Sequence, residues 1–220
     1  MPDGIATYHI NGVDYIVTAN EGDSREWGEY LNEDERNFGK GETSPTGKIT
    51  AENSGLTGKV VFFDSSDYDG LDSEFDYLFG GRSFTVFKAD EQGLTEIYTS
   101  GNEFEAKTAG YELEHFNCSN DNNDIDDRSG KKGVEAENVT IGNVGEKIYA
   151  FIGLERIGGV MMYDVTNPEK ISYANYINSR DFSADIAGDD SPEGLCFISE
   201  SESLDGNAHF GITKRRRYTL

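Results

Sequence analysis

Apolar and polar positions alternate along this chain in short runs, and each run ends at a residue pair suited to a tight turn. Residues 5–10 alternate, Asn11-Gly12 follows, and residues 13–19 alternate again; Asn-Gly between β-formers is a strong hairpin signal. Residues 139–144, the pair Gly145-Glu146 and residues 148–154 repeat the plan, with Tyr149 falling 134 positions after Tyr15. Gly158-Gly159 then leads into a strand over 160–165, and Asn167-Pro168 into another over 171–177. A third copy opens at Ser191-Pro192-Glu193-Gly194, with 195–198 as its strand.

Acids recur at fixed points of these units. Asp3 and Glu21 are eighteen residues apart, as are Glu137 and Glu155, and Pro2-Asp3-Gly4, Ala136-Glu137-Asn138 and Pro192-Glu193-Gly194 align with one another. Units of this kind must stack to bury their faces, and four strands in about forty residues is the plan of a propeller blade. The expected fold is all-β: a β-propeller fragment with two complete four-stranded blades and the start of a third. The first blade occupies 1–100, with 82–88 and 94–100 as outer strands and an insertion over 20–81. An acidic loop over 101–135 follows, then a blade over 136–180, the start of the next over 191–213 and a tail over 214–220. Propellers close with about four to eight blades, so the chain is expected to be a piece whose Met1 is not the natural start and whose partners include the remaining blades.

Composition adds limits. Hydrophobic residues make up 35% and aromatic residues 12% of 220 residues, enough to build a core. No apolar run approaches the roughly 18 residues of a membrane span, and no signal peptide is visible. The net charge of −23 argues against a nucleic-acid partner, whose phosphates call for cations, and suits a cation-binding surface. Solvated acids that keep a protein soluble account for most of it. Cys118 and Cys196 make no disulfide framework and are expected as free thiols. Asn117-Cys118-Ser119 and Asn138-Val139-Thr140 fit the glycosylation sequon. Trp27 and Tyr30, inside the insertion, suit either contact with sugar or a small local core.

Several stretches together resemble the choice-of-anchor I domain family. They include Pro2-Asp3-Gly4-Ile5-Ala6, Asn20-Glu21-Gly22-Asp23-Ser24-Arg25, Phe79-Gly80-Gly81-Arg82-Ser83-Phe84, Asp127-Arg128-Ser129, Gly153-Leu154-Glu155-Arg156, Asp164-Val165-Thr166-Asn167-Pro168 and Pro192-Glu193-Gly194-Leu195. The resemblance implies a β-propeller of a secreted or surface-attached protein, in a family some of whose members are fused to phosphoesterase modules or labelled alkaline phosphatase. Near the end the repeat calls for Asn-Glu after Thr213, where the chain has Lys214-Arg215-Arg216-Arg217-Tyr218. One extra base would convert Asn-Glu codons into Lys-Arg codons, so a frameshifted tail is expected, with a genuine basic tail as the other reading.

The innermost strand of a blade lines the central channel, so Asp3, Glu137 and Glu193 are expected to converge there, with Glu21 and Glu155 joining them or capping loops. Converging carboxylates repel unless protonated or bound to a cation, and calcium is the expected cation, being hard and tolerant of irregular oxygen ligands. The alternative is that each acid satisfies backbone amides where its strand begins. Asn120, Asp121, Asp124 and Asp126, in the loop over 117–127, offer a further calcium site without EF-hand spacing. Asp64, Asp67, Asp69 and Asp72 form a similar acidic turn. Arg82 and Arg128 are candidate anion binders through the guanidinium fork. His9, His115 and His209 share no motif with a nucleophile, and neither a Gly-x-Ser-x-Gly elbow nor a Walker loop occurs. The expected function is therefore a calcium-stabilised, noncatalytic propeller that binds a surface or matrix ligand. A metal-dependent phosphoester hydrolase and a propeller lactonase or esterase are the alternatives.

Overall fold

Asn11 and Gly12 turn the chain at φ 51° and 81°, the left-handed pair that matches the twist of a two-residue hairpin. The strands on either side are β1 (Ile5–Ile10) and β2 (Val13–Asn20), paired antiparallel with Tyr8 opposite Tyr15. The structure is a computed structural model that describes residues 2–184 and 187–214. Of the suspected tail over 214–220, Lys214 ends the last strand and residues 215–220 lie outside the described residues.

The remaining strands in chain order are β3 (Glu26–Trp27), β4 (Tyr30–Leu31), β5 (Glu33–Asn37), β6 (Lys59–Phe63), β7 (Ser83–Asp90), β8 (Gly93–Thr99), β9 (Ala136–Val144), β10 (Lys147–Leu154), β11 (Val160–Asp164), β12 (Ser172–Ile177), β13 (Pro192–Ile198) and β14 (His209–Lys214). They make an all-β fold of antiparallel sheets. Two are four-stranded, in the orders β1-β2-β7-β8 and β12-β11-β10-β9, and the pairs β13-β14, β3-β4 and β5-β6 are two-stranded. The segment between β2 and β7 is reached from the first sheet through Asn20 and Ser83, which face each other across the ladder.

The two large sheets pack face to face through one core. Val17, Ala19, Phe84 and Val86 come from the first, and Ala150, Ile152, Met161 and Tyr163 from the second; all are fully buried. The Phe84 ring lies 4.6 Å from Tyr163 and 6.1 Å from Phe104. Phe104 belongs to a helix, α2 (Glu103–Tyr111), preceded by one turn of helix, α1 (Ala51–Ser54). Helix α2 corrects the expectation that 101–135 is simply an acidic loop. Its buried positions are only Phe104 and Thr108 one turn on, too narrow an apolar stripe to announce a helix in a polar segment, and burial of Phe104 against both sheets selects it.

The first strands of the sheets lie side by side: β9 packs against β1 and β2 on one side and against β13 on the other. Gly4 makes the closest approach. Its N–H donates to the Glu137 carbonyl at 3.0 Å, and a Cβ there would stand 2.7 Å from Asn138 Cα, so only glycine allows the contact. The inserted segment has its own small core of Phe38, Val60 and Phe62. Trp27 and Tyr30 take no part in it; they are 87% and 43% exposed.

Candidate cation site

Because β1 and β2 are antiparallel, the start of one lies beside the end of the other. Asp3 precedes β1, its N–H donating to Ala19 O at 2.9 Å, and Glu21 follows directly on β2. The Gly4 bond to Glu137 O brings the second residue of β9 to the same place. Carboxylate oxygens of Asp3, Glu21 and Glu137 thus lie within 4.8 Å of one another, and so do those of Glu21, Glu135 and Glu155. Among the described residues these are the two carboxylate groups of such a size and closeness. Both open onto a cavity of about 460 Å³ whose walls include Asp23, Arg128, Lys131, Lys132 and Arg156.

The two groups differ in how their charge is met. Glu135 is wholly buried but receives Arg156 at 2.9 Å, Lys132 at 3.2 Å and Arg128. Burial alone would raise its pKa, yet these three cations hold it down to about 2. Glu155 accepts from Asn120 Nδ2 at 2.9 Å and lies 3.2 Å from Arg156. Three acids there face three bases. Among the described residues, the other group, which shares Glu21, has only Lys132 at 3.3 Å from that residue to set against its three acids. Burial first, then the charges of Glu155, Glu21, Asp3 and Glu193, push Glu137 up to about 8, and its buried Oε2 has no hydrogen-bond partner. Burial raises Glu21 to about 7, with Lys132 opposing the rise and Asp23 and Glu135 adding to it. Burial and Asp23 likewise raise Asp3. Three carboxylates, one with an orphaned oxygen, suit a hard divalent cation.

The other sequence candidates fall in different places. Glu193, second in β13, is near enough to act on Glu137 through its charge. In the loop over 117–127, Asn120 is buried against Glu155 and Arg156, whereas Asp121, Asp124 and Asp126 are exposed; the acids of this loop belong to neither carboxylate group. Asp126 instead accepts from Ser129 Oγ. Arg82 is taken up by Glu105 at 2.9 Å and by the carbonyls of Ser129 and Lys131, each at 2.7 Å. Arg128 lines the cavity while donating to Glu135. Cys118 is buried and Cys196 exposed, both as free thiols. Asn117, in the first sequon, is buried and its Nδ2 donates to Glu105 and Ser129.

Sequence reasoning passed over Lys132, Glu135 and Arg180. Lys132 bonds Asp23 and Glu21 across more than a hundred residues. Arg180, 6% exposed, donates to the carbonyls of Ser119, Arg156 and Asn122 and so ties the 117–127 loop to the second sheet. The adjacent Lys131-Lys132 pair, just before Glu135 in a chain poor in bases, was the available signal for the first two.

The model of the choice-of-anchor I domain matches residues 1–168, and the chain belongs to that family. Over 92 residues it is 33% identical to Gigasin-3a of Magallana gigas, a match covering 40% of this chain and 32% of that protein. Over 200 residues it is 26% identical to the mesenchyme-specific cell surface glycoprotein of Strongylocentrotus purpuratus, covering 75% of this chain and 26% of that protein. The chain therefore spans about a third or less of the length of these curated relatives.

Proposed function

We propose that the chain is part of a β-propeller of an extracellular or cell-surface protein, that a calcium ion joins its first two blades, and that its role is binding rather than catalysis. The meander order of both four-stranded sheets and the side-by-side placing of β1, β9 and β13 support successive blades. Surface location is supported by the family and by the name of the sea-urchin relative. Among the described residues no helix is long and apolar enough to cross a membrane.

The observation that carries the proposal is the Asp3, Glu21 and Glu137 group, because its members come from two sheets and the buried Oε2 of Glu137, pressed by other acids, has no hydrogen-bond partner. A hard cation there would turn a repulsive seam into a cross-link. Calcium added to chelator-treated protein should bind in isothermal calorimetry and raise the melting temperature. Glu137→Gln should lose most of both effects, and absence of binding by the parent protein would return these acids to a purely structural role.

A phosphoester hydrolase is the second reading. It is favoured by Arg128, Lys131 and Arg156, which line the same cavity as the acids and could hold an anionic oxygen beside a metal. Release of phosphate from p-nitrophenyl phosphate, dependent on calcium and lost in Glu137→Gln, would put it first. No histidine lines this cavity, which leaves the lactonase or esterase reading without support.

A further inference from the structure

The β3–β4 hairpin carries an exposed apolar tip. Trp27 is 87% exposed, Leu31 49% and Tyr30 43%, and Trp27 and Tyr30 stand opposite each other across a two-residue turn. Below the tip the hairpin is held firmly. Wholly buried Asn32 accepts from Arg25 N at 2.8 Å through Oδ1, and its carbonyl accepts from Asp64 N at 3.0 Å. Arg25 in turn packs over the Tyr68 ring at 4.6 Å. An anchored base with an exposed aromatic end is a preorganised contact surface, since a tryptophan left in water forgoes the burial of about 150–250 Å².

The surroundings select the occupant by charge. Glu26 and Glu29 flank Trp27 in sequence, and Glu26 and Glu33 also form the outer wall of the acidic cavity. Within a chain of net charge −23, an exposed tryptophan on an acidic hairpin attracts a cation, and tryptophan is the best of the side chains for binding a guanidinium or ammonium over its ring. A guanidinium or ammonium draws on both the ring and the negative charge, whereas a neutral sugar uses the carboxylates only as hydrogen-bond acceptors.

We propose that the β3–β4 hairpin and the acidic rim beside it are a docking surface for an arginine- or lysine-rich segment of a partner protein. The proposal rests on the binding role given above and names the chemistry of the partner. It does not need the cation between the sheets, so the two can be tested apart.

Trp27 is the single tryptophan of the chain, so its fluorescence reports on the hairpin directly. An octa-arginine peptide titrated into the full chain in chelator should shift and quench that emission. Trp27→Ala should weaken binding at least tenfold by calorimetry, and the double change Glu26→Gln with Glu33→Gln should weaken it while lowering its salt dependence. Melting curves of each variant, with and without calcium, check the fold and read the calcium site separately. Peptide binding that leaves the emission unmoved and is unchanged in Trp27→Ala would overturn the proposal in favour of diffuse attraction to an acidic surface. Quenching by chitohexaose with no response to the peptide would overturn it in favour of sugar, and no binding of the peptide would also overturn it.

Discussion

Glu135 and Glu137 stand two positions apart yet are shifted in opposite directions: burial pushes both upward, and their neighbours decide which one stays there. Three bases meet Glu135, while Glu137 meets other acids. Their contributions to stability therefore change with pH in opposite directions. Glu137, raised to about 8, binds a proton in the folded state over a range where the unfolded chain has lost it. Its favourable contribution is complete below the ordinary carboxylate pKa and disappears as pH rises to about 8. In chelator the melting temperature should fall over this window. Calcium or Glu137→Gln should flatten the fall, and a profile identical in parent and variant would refute the assignment. Glu135, held near 2, stabilises above the usual carboxylate range and stops doing so only in strong acid. Glu135→Gln leaves Arg128, Lys132 and Arg156 without their common partner. It should cost about 3 kcal/mol or more by urea denaturation, as expected when one member of a buried ionic network is removed.

At the scale of elements, the hairpins and the outer strands that complete each four-stranded sheet were legible, and the helix between the sheets was not. Asn11-Gly12 and Gly145-Glu146 mark turns through local chemistry alone, and alternation marks the strands beside them. Helix α2 left almost no local trace, because its place depends on Phe104 filling the space between sheets. Phe84 holds that seam together from the other side, in contact with Tyr98, Phe104 and Tyr163. Phe84→Ala should lower stability by about 3–5 kcal/mol, the usual cost of removing a buried phenylalanine, measured by the same denaturation. A loss under about 1 kcal/mol would mean that the two sheets do not share one core.

For the whole molecule, the net charge of −23 sets how it answers to its solvent. Long-range repulsion is screened over about 10 Å at 0.1 M salt, so sodium chloride should raise the melting temperature of the calcium-free protein, and by less once calcium is bound. A melting temperature that falls with salt would show that attractive pairs such as Lys132 with Asp23 and Glu135 outweigh the repulsion. The all-β class, the strand positions and the recurrence of acids at strand starts were readable in the residues, because period-two alternation, turn chemistry and residue type are local properties. Which acids share a site was decided by tertiary structure. The contact of Gly4 with β9 sets Asp3 and Glu21 against Glu137, and the fold of the segment after α2 supplies Lys132 and Arg128 to Glu135 instead. Glu135 finds Lys132 three positions away and Arg128 seven, but Asp3 and Glu21 reach Glu137 only by packing between residues more than a hundred positions apart, and no local pattern encodes that approach.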